Sequence, residues 1–362
     1  MKSNRPASLL VFSVLALLAA GCKSIGPATI PRDRHEYSSS ISESWKRQTL
    51  LNIVKLRYLE PPIFVDVGQI VAGYSLETGL SAGASLPANG ALGGNTATLG
   101  GSAKFTDRPT ITYTPLTGNK FVKALMTPLP PESVFFTIES GLPADAILFA
   151  TVARLNGLKN QEASVGGVEK AEPRFLRALE LLRNLQLSGS VAMRIQQDEQ
   201  KRQTSLVTIR SKDTSEQTLA EGRELRELLG LSAEATEFKL VFGAMAAGDR
   251  ELAMQTRSIM RILTTLSSQV EVPPEHIAEG RAGPGFNEMD GDDTKPVRLA
   301  RIHSSKNQPA DAYVAVPFRD HWFWIDDRDL KSKRTFAFMM LLFSLSDSGE
   351  KEALPLITIP AQ

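Results

Sequence analysis

The sequence predicts an α+β protein: an N-terminal tether, a long helix, an extended antiparallel β-hairpin, and then a domain mixing helices with antiparallel sheet. Three observations carry this prediction. Apolar residues recur near helical period from Ile41 to Tyr58 and stop at Pro61-Pro62. Apolar and small polar residues then alternate with a period of two from Gln69 to Leu86, far longer than an average strand. Beyond Pro115, short segments of both periods follow one another between Pro and Gly breaks, the pattern of an α+β domain.

The helix is expected over residues 40–60. Ser40-Ile41-Ser42-Glu43 reads as a capping box, in which Ser40 and Glu43 satisfy each other's end of the first turn. Ile41, Trp45, Ile53, Val54 and Tyr58 form its apolar stripe, and Lys46, Arg47, Lys55 and Arg57 make the other face basic.

Residues 61–115 form the small-residue hairpin region. Ile70, Tyr74, Leu76 and Leu80 share one face with alanines, while Ser75, Glu77, Gly79, Ser81 and Gly83 share the other. Asn89-Gly90 is a strong two-residue turn signal, because a type I′ turn needs positive φ at both central positions. That turn would set Tyr74 opposite Phe105, Leu76 opposite Ala103, Leu80 opposite Leu99 and Ala82 opposite Ala97, with apolar and polar faces each in register. Three readings of the hairpin stay open. Each arm is long enough to cross an outer membrane, where about 9–11 residues suffice, and several copies would then be needed to close a barrel. It also suits a long arm lying on a soluble domain or partner. The density of glycine suits a mobile loop.

The α+β domain is expected over residues 116–362. Helices are predicted around Phe121–Met126, Pro131–Glu139 and Ala144–Leu155, from Pro173, over Ser215–Leu229 with Gly230 closing it, from Asp249 through Leu266, and over Ser332–Leu345. Strands are predicted as a hairpin of 191–195 with 206–209 around a charged tip, at Phe238–Phe242, at Val297–His303, as a hairpin of Tyr313–Val316 with His321–Ile325, and at Leu354–Ile359. Residues 280–295, rich in Gly and Asp, read as an exposed loop.

The first 21 residues belong outside this fold. Lys2 and Arg5 precede a twelve-residue, mostly apolar run from Leu9 to Ala20, too short for a permanent span of about 20 residues and shaped like an export signal. Removing residues 1–21 takes away Lys2 and Arg5 and no acid, so the formal charge goes from +1 to −1. So balanced a chain argues against nucleic acid as a partner. Cys22 is the only cysteine, which excludes an intrachain disulfide framework.

Ala19-Ala20-Gly21-Cys22 resembles the bacterial lipobox, with Ala19 where Leu is commonest and Leu18 beside it. The resemblance implies cleavage before Cys22, a thioether-linked diacylglycerol on its thiol and an amide-linked acyl chain, such as palmitate, on its new amino group. Residues 22–39 are then a lipidated tether, and several acyl chains hold a protein durably to a membrane. Lys23, rather than Asp, follows the cysteine, which in enteric-type sorting points to the outer membrane of a Gram-negative cell, facing the periplasm. Ser44-Trp45-Lys46-Arg47-Gln48, the run Leu50 to Tyr58, Ala310-Asp311-Ala312-Tyr313 and Trp322 to Asp329 are similar to a family of bacterial lipoproteins with no assigned activity. That likeness carries over no site residues. The hairpin read as a membrane element looks like the pore lipoproteins of curli secretion or of outer-membrane factors, without a shared motif.

Few residues invite chemistry. His321-Trp322-Phe323-Trp324-Ile325-Asp326-Asp327-Arg328-Asp329, together with His303-Ser304-Ser305, holds the residue types of a hydrolase. No G-x-S-x-G elbow accompanies them, and the run fits a sheet buried on both faces with acids in the following turn. Asp326, Asp327 and Asp329 lack the spacing of a calcium loop. Gly90 to Gly101 lacks the Lys and helix start of a phosphate loop, and Glu275-His276 lacks the second histidine of a zincin. No cofactor or metal is expected. The sequence therefore leads to a non-enzymatic interaction or assembly subunit of the envelope, partnered by membrane lipid and by an envelope protein or further copies of itself. An oligomeric pore and a periplasmic hydrolase using His303 and His321 are the alternatives.

Overall fold

A computed structural model describes residues 25–71, 73–85, 96–164, 167–197, 203–210, 214–283 and 297–346. The expected signal segment 1–21, Cys22, the expected Asn89-Gly90 turn, most of the expected tip of the 191–209 hairpin, most of the expected 280–295 loop and the expected strand 354–359 lie outside these residues. The architecture is α+β. It comprises two compact units: one holds the chain up to Ser44 with Val65–Pro115, the other Trp45–Phe64 with Leu116 onward.

Helix α1 runs Ile25–Arg57 and begins fifteen residues before the expected start, so most of the segment expected as a tether is helical. Ser40 and Glu43 consequently lie within the helix and form no capping box. Pro31, seven residues into the helix, does not end it.

In the first unit, strands β1 (Phe64–Val71) and β4 (Thr110–Leu116) pair with each other, as do β2 (Tyr74–Ser85) and β3 (Thr96–Asp107). The β2–β3 ladder is antiparallel over twelve residue pairs. Its register differs from expectation by two residues: Tyr74 faces Asp107, Leu76 faces Phe105 and Ala82 faces Leu99. A shift of two returns every side chain to its own face, so alternation cannot distinguish the two registers. Tyr74 ties the ribbon to α1: its hydroxyl donates to Asp33 Oδ2 at 2.6 Å, and its ring stacks on Phe105.

The second unit is built on a six-stranded sheet in the order β6-β5-β12-β11-β10-β9, formed by β5 (Val152–Leu155), β6 (Leu158–Lys159), β9 (Val191–Gln197), β10 (Gln203–Ile209), β11 (Glu237–Phe242) and β12 (Glu251–Thr256). Every pairing is antiparallel except β11 with β12. A small pair, β7 (Glu162–Ser164) with β8 (Gly167–Glu169), follows β6. The same unit holds helices α2 (Asn119–Met126), α3 (Pro131–Glu139), α4 (Ala144–Thr151), α5 (Pro173–Leu187), α6 (Glu216–Leu229) and α7 (Ile259–Ser267). On α5, Phe175, Ala178, Leu179, Leu182 and Leu185 recur at helical spacing and are buried. Arg177 clamps Glu224 of α6 with two 2.7 Å hydrogen bonds. The ends of α6 match expectation: Ser215 accepts from the Thr218 amide, and Gly230 turns left-handed at φ 62°.

Two expectations fail here. The helix predicted for 144–155 stops at Thr151, and Val152 begins β5. The segment after Asp249 forms β12, and α7 is capped by Ser258 instead. Leu252, Ala253 and Met254 are consecutive and all buried, as befits a central strand covered on both faces. Leu252 falls at helical spacing from Ile259, Leu263 and Leu266 of the real helix, so the apolar period runs on across a strand.

Arg257 follows β12 and is 2% exposed. Its guanidinium donates to the carbonyls of Phe149 and Ala150 in the last turn of α4 and to that of Gln161. A cation at a helix C-terminus meets the negative end of its dipole. Burial lowers its pKa to about 10, which leaves it charged at neutral pH.

A second, three-stranded sheet in the order β13-β15-β14 comprises β13 (His303–Ser305), β14 (Ala312–Phe318) and β15 (His321–Asp326), and the short helix α8 (Pro274–Ala278) precedes it in the chain. Only the end of the strand expected at 297–303 is regular. Arg319 and Asp320, both at positive φ, form the two-residue β14–β15 turn. Helix α9 (Leu330–Ser346) closes the described chain. Within this unit the end of α1 buries Leu50, Ile53 and Val54, and Asn52 clamps both the amide and the carbonyl of Ile63 beyond Pro61-Pro62.

Candidate functional site

Two features stand out, one in each unit. The first is the β2–β3 ribbon. On its polar face glycines and hydroxyls pair across the strands: Gly79 faces Ser102, Gly100 faces Ser81 and Gly83 faces Thr98. The Ser81 hydroxyl donates to the carbonyl of Gly100 at 3.2 Å and Thr98 to that of Gly83 at 3.3 Å. Each hydroxyl thus folds over the glycine opposite it, and a Cβ there would come within 2.7–2.8 Å of the hydroxyl oxygen. The result is a thin, flat face. On the other face Ala103 is exposed and Phe105 is 52% exposed, and on β4 Ile111 and Tyr113 are exposed as well. Among the described residues no third strand joins β2 or β3.

The second feature is a buried cluster in the other unit, where three segments distant in sequence meet. Tyr58, directly after α1, places its hydroxyl 2.7 Å from His276 Nδ1 on α8. The rings of His276 and His321 meet edge to face with centroids 5.0 Å apart. His321 Nε2 lies 3.2 Å from Glu275 Oε1, the half-exposed residue at the mouth of the cluster. The Arg319 guanidinium covers the Tyr58 ring at 4.9 Å and pairs with Glu60 at 2.8 Å. Burial pushes the Tyr58 phenol up to about 12. It therefore stays protonated and can donate to an unprotonated Nδ1, which leaves the His276 proton on Nε2. Burial, then the neighbouring His321, hold His276 below its ordinary value. Glu275 is lowered by a hydrogen bond from its own amide and then by His321.

Most sequence-singled residues do not converge. His303 pairs across the sheet with Trp324, packs tilted against its ring with centroids 4.7 Å apart and contacts Glu271 at 2.9 Å. His321 lies three residues from Trp324 along β15, with Phe323 and Ile325 on the buried face. Histidines 303 and 321 therefore project from opposite faces of one sheet, and the contact that a hydrolytic pair needs is not formed. Ser304 and Ser305 meet neither ring. The even face of β15 is half-exposed, not buried as expected. The acids after it serve the turn and α9: Asp326 accepts from the Arg328 amide, Asp327 pairs with Lys333, and Asp329 accepts from both the amide and the hydroxyl of Ser332. Among the described residues no group of His, Cys, Asp and Glu is arranged to hold a metal ion, and no helix is long and apolar enough to cross a membrane. His276 was singled out only for lacking a zincin partner; its actual neighbour is 45 residues away, and no local spacing announces that meeting.

Comparison with protein-family models, with curated proteins and with solved structures finds no match.

Proposed function

We propose that this protein is a lipid-anchored, non-enzymatic interaction or assembly subunit of a bacterial envelope, acylated at Cys22 on the periplasmic side of an outer membrane, with the β2–β3 ribbon as its contact element. The observation that carries this reading is a ladder of twelve pairs with no third strand among the described residues, whose apolar face leaves Phe105 and Ala103 open. A two-stranded ribbon alone is at best marginally stable in water. Open strand edges also pair readily with other chains. A partner that covers an edge or a face resolves both problems. The charged start, apolar run and lipobox-like junction at Cys22 support the anchor.

The test is membrane fractionation of the wild type, Cys22→Ser, and a variant with residues 75–106 replaced by a short Gly-Ser link. Wild type is expected in the membrane fraction with in-cell cross-links to an envelope protein. Cys22→Ser should lose the membrane, and the ribbon deletion should keep it but lose the cross-links. Cross-links that survive the deletion would sink the ribbon's role, and a wild type in the soluble fraction would sink the anchor.

A second reading, a barrel assembled from several copies, is favoured by arm length: each strand of twelve residues exceeds the roughly 9–11 needed to span. Detergent- and heat-resistant oligomers that disappear with the ribbon would select it, and a strict monomer in detergent would remove it.

A further inference from the structure

We propose that the Tyr58–His276–His321 cluster is an acid-sensitive latch, which holds residues 58–63 and α8 against the β14–β15 hairpin while His276 is uncharged and opens when His276 gains a proton. The proposal is independent of the ribbon and of the anchor.

The cluster joins three pieces of chain through side chains. Tyr58 contributes its hydroxyl to His276 and its ring to Phe318 and Phe323, at centroid distances of 5.1 and 6.1 Å. His276 is only 4% exposed. Helix α8 is a little over one turn long, so this contact is a large part of what seats it.

The cost of charging His276 follows from the groups around its ring. The α8 side offers Glu275, held by His321 at 3.2 Å, and Glu279, which is paired with Arg281 at 2.5 Å. The α1 side brings Arg57 and Glu60, the latter paired with Arg319, and the hairpin side brings Arg319 and the His321 ring. Lys306 adds positive charge near Glu275. Burying a further cation among these groups is unfavourable. Exposing His276 to water removes the penalty, and α8 with residues 58–63 comes away.

His276 is lowered from an ordinary value of 6.5. The open form therefore binds the proton more tightly than the closed one. Closure is fully favoured above about pH 6.5 and weakens as pH falls toward the lowered value, by up to tenfold per pH unit for one proton.

Hydrogen exchange of the full chain, corrected for the intrinsic effect of pH, tests this at pH 7.5 and 5.5. Protection at 58–63 and 274–281 should fall by up to tenfold per unit below about 6.5, while α5 stays unchanged. His276→Gln keeps an acceptor for Tyr58 but cannot titrate, and should flatten the response. Should that variant fail to fold, ring resonances of the wild type decide: His276 must titrate below 6.5. Protection that ignores pH, a response that survives His276→Gln, or a His276 midpoint at or above 6.5 overturns the latch.

Discussion

The β2–β3 ribbon and the β9–β10 hairpin are both antiparallel, both alternate in sequence, and end in opposite circumstances. On β10, Ser205, Val207 and Ile209 are buried, because β11 extends the sheet on the other side and the helices cover it. On β2 and β3 every side chain described from Ser75 to Gly83 and from Thr98 to Lys104 is exposed. Alternation specifies a strand with two unlike faces and says nothing of what covers either one. In the sheet, burial supplies stability of about 25 cal/mol per Å² of apolar surface. Among the described residues of the ribbon, the two strands are joined by the backbone ladder and by the hydroxyls of Ser81 and Thr98 over the facing glycines.

Truncating an aromatic in each region breaks this comparison most severely. Phe238 on β11 is fully buried, and Phe238→Ala should cost about 3–5 kcal/mol. Phe105→Ala, at a half-exposed site, should stay within about 0.5 kcal/mol. Urea melts of both variants check it. A large loss at Phe105 would mean that the ribbon buries this face in solution.

Arg257 sharpens the same contrast inside the core. Arg257→Met keeps much of the volume but takes the guanidinium from the buried carbonyls of Ala150 and Gln161, while that of Phe149 keeps Asn160 as a donor. The expected loss is about 3 kcal/mol by urea titration. Arg177→Met, on an exposed clamp between α5 and α6, should cost far less in the same titration.

A smaller effect is expected at Asp329, the cap of α9. Burial raises its carboxyl, but hydrogen bonds from the Ser332 hydroxyl and amide and from the Lys331 amide outweigh this, and the net shift is down from 3.8. A lowered carboxyl stabilises the fold above its unfolded value, and that contribution is lost as pH falls through the folded value. Asp329→Ala should cost about 1 kcal/mol at pH 7. Asp329→Asn should cost less and flatten the acid limb of a thermal-melt series below about pH 4. An unchanged acid limb would remove the charge from the account of this cap.

The legible parts of the fold were those with local causes. The helices at 131–139, 173–187 and 216–229 announce themselves by Pro at the first turn, by apolar spacing, or by Ser215 and Gly230 at the ends. The start of α1 is not legible because Pro31 reads as a breaker, and at the seventh helical position its missing amide does leave the carbonyl four residues earlier without its helical donor. Strands β5 and β6 carry a local signal as well. Asn156-Gly157 between them carries the same two-residue signal as Asn89-Gly90, and both residues adopt positive φ, 42° and 86°. The Asn156 side chain then bridges the carbonyls of Leu229 and Glu251 and the amide of Ala253, all far away in sequence. The histidine cluster had no local signature of any kind. It is assembled by the docking of a short helix on a hairpin, and only packing reveals it.

The smallest expected effect on stability, and the sharpest on geometry, concerns ribbon register. The expected turn at Asn89-Gly90 pairs Ser81 with Thr98, whereas the ladder pairs Ser81 with Gly100. Both keep polar residues together, so the choice rests on the turn and on the fit of each hydroxyl over its glycine. Cysteine pairs in a Cys22→Ser background, free of other thiols, separate the registers. Directly opposed Cβ atoms lie about 4.5–5.5 Å apart, and diagonal neighbours about 7–8 Å, too far for a disulfide without backbone movement. Ser81→Cys with Gly100→Cys should oxidise readily, and Ser81→Cys with Thr98→Cys should not. The reverse outcome would restore the two-residue turn. It would also dismantle the glycine–hydroxyl pairing that gives the ribbon its flat face, because Gly79 would then oppose Gly100 and leave Ser81 facing a β-branched threonine.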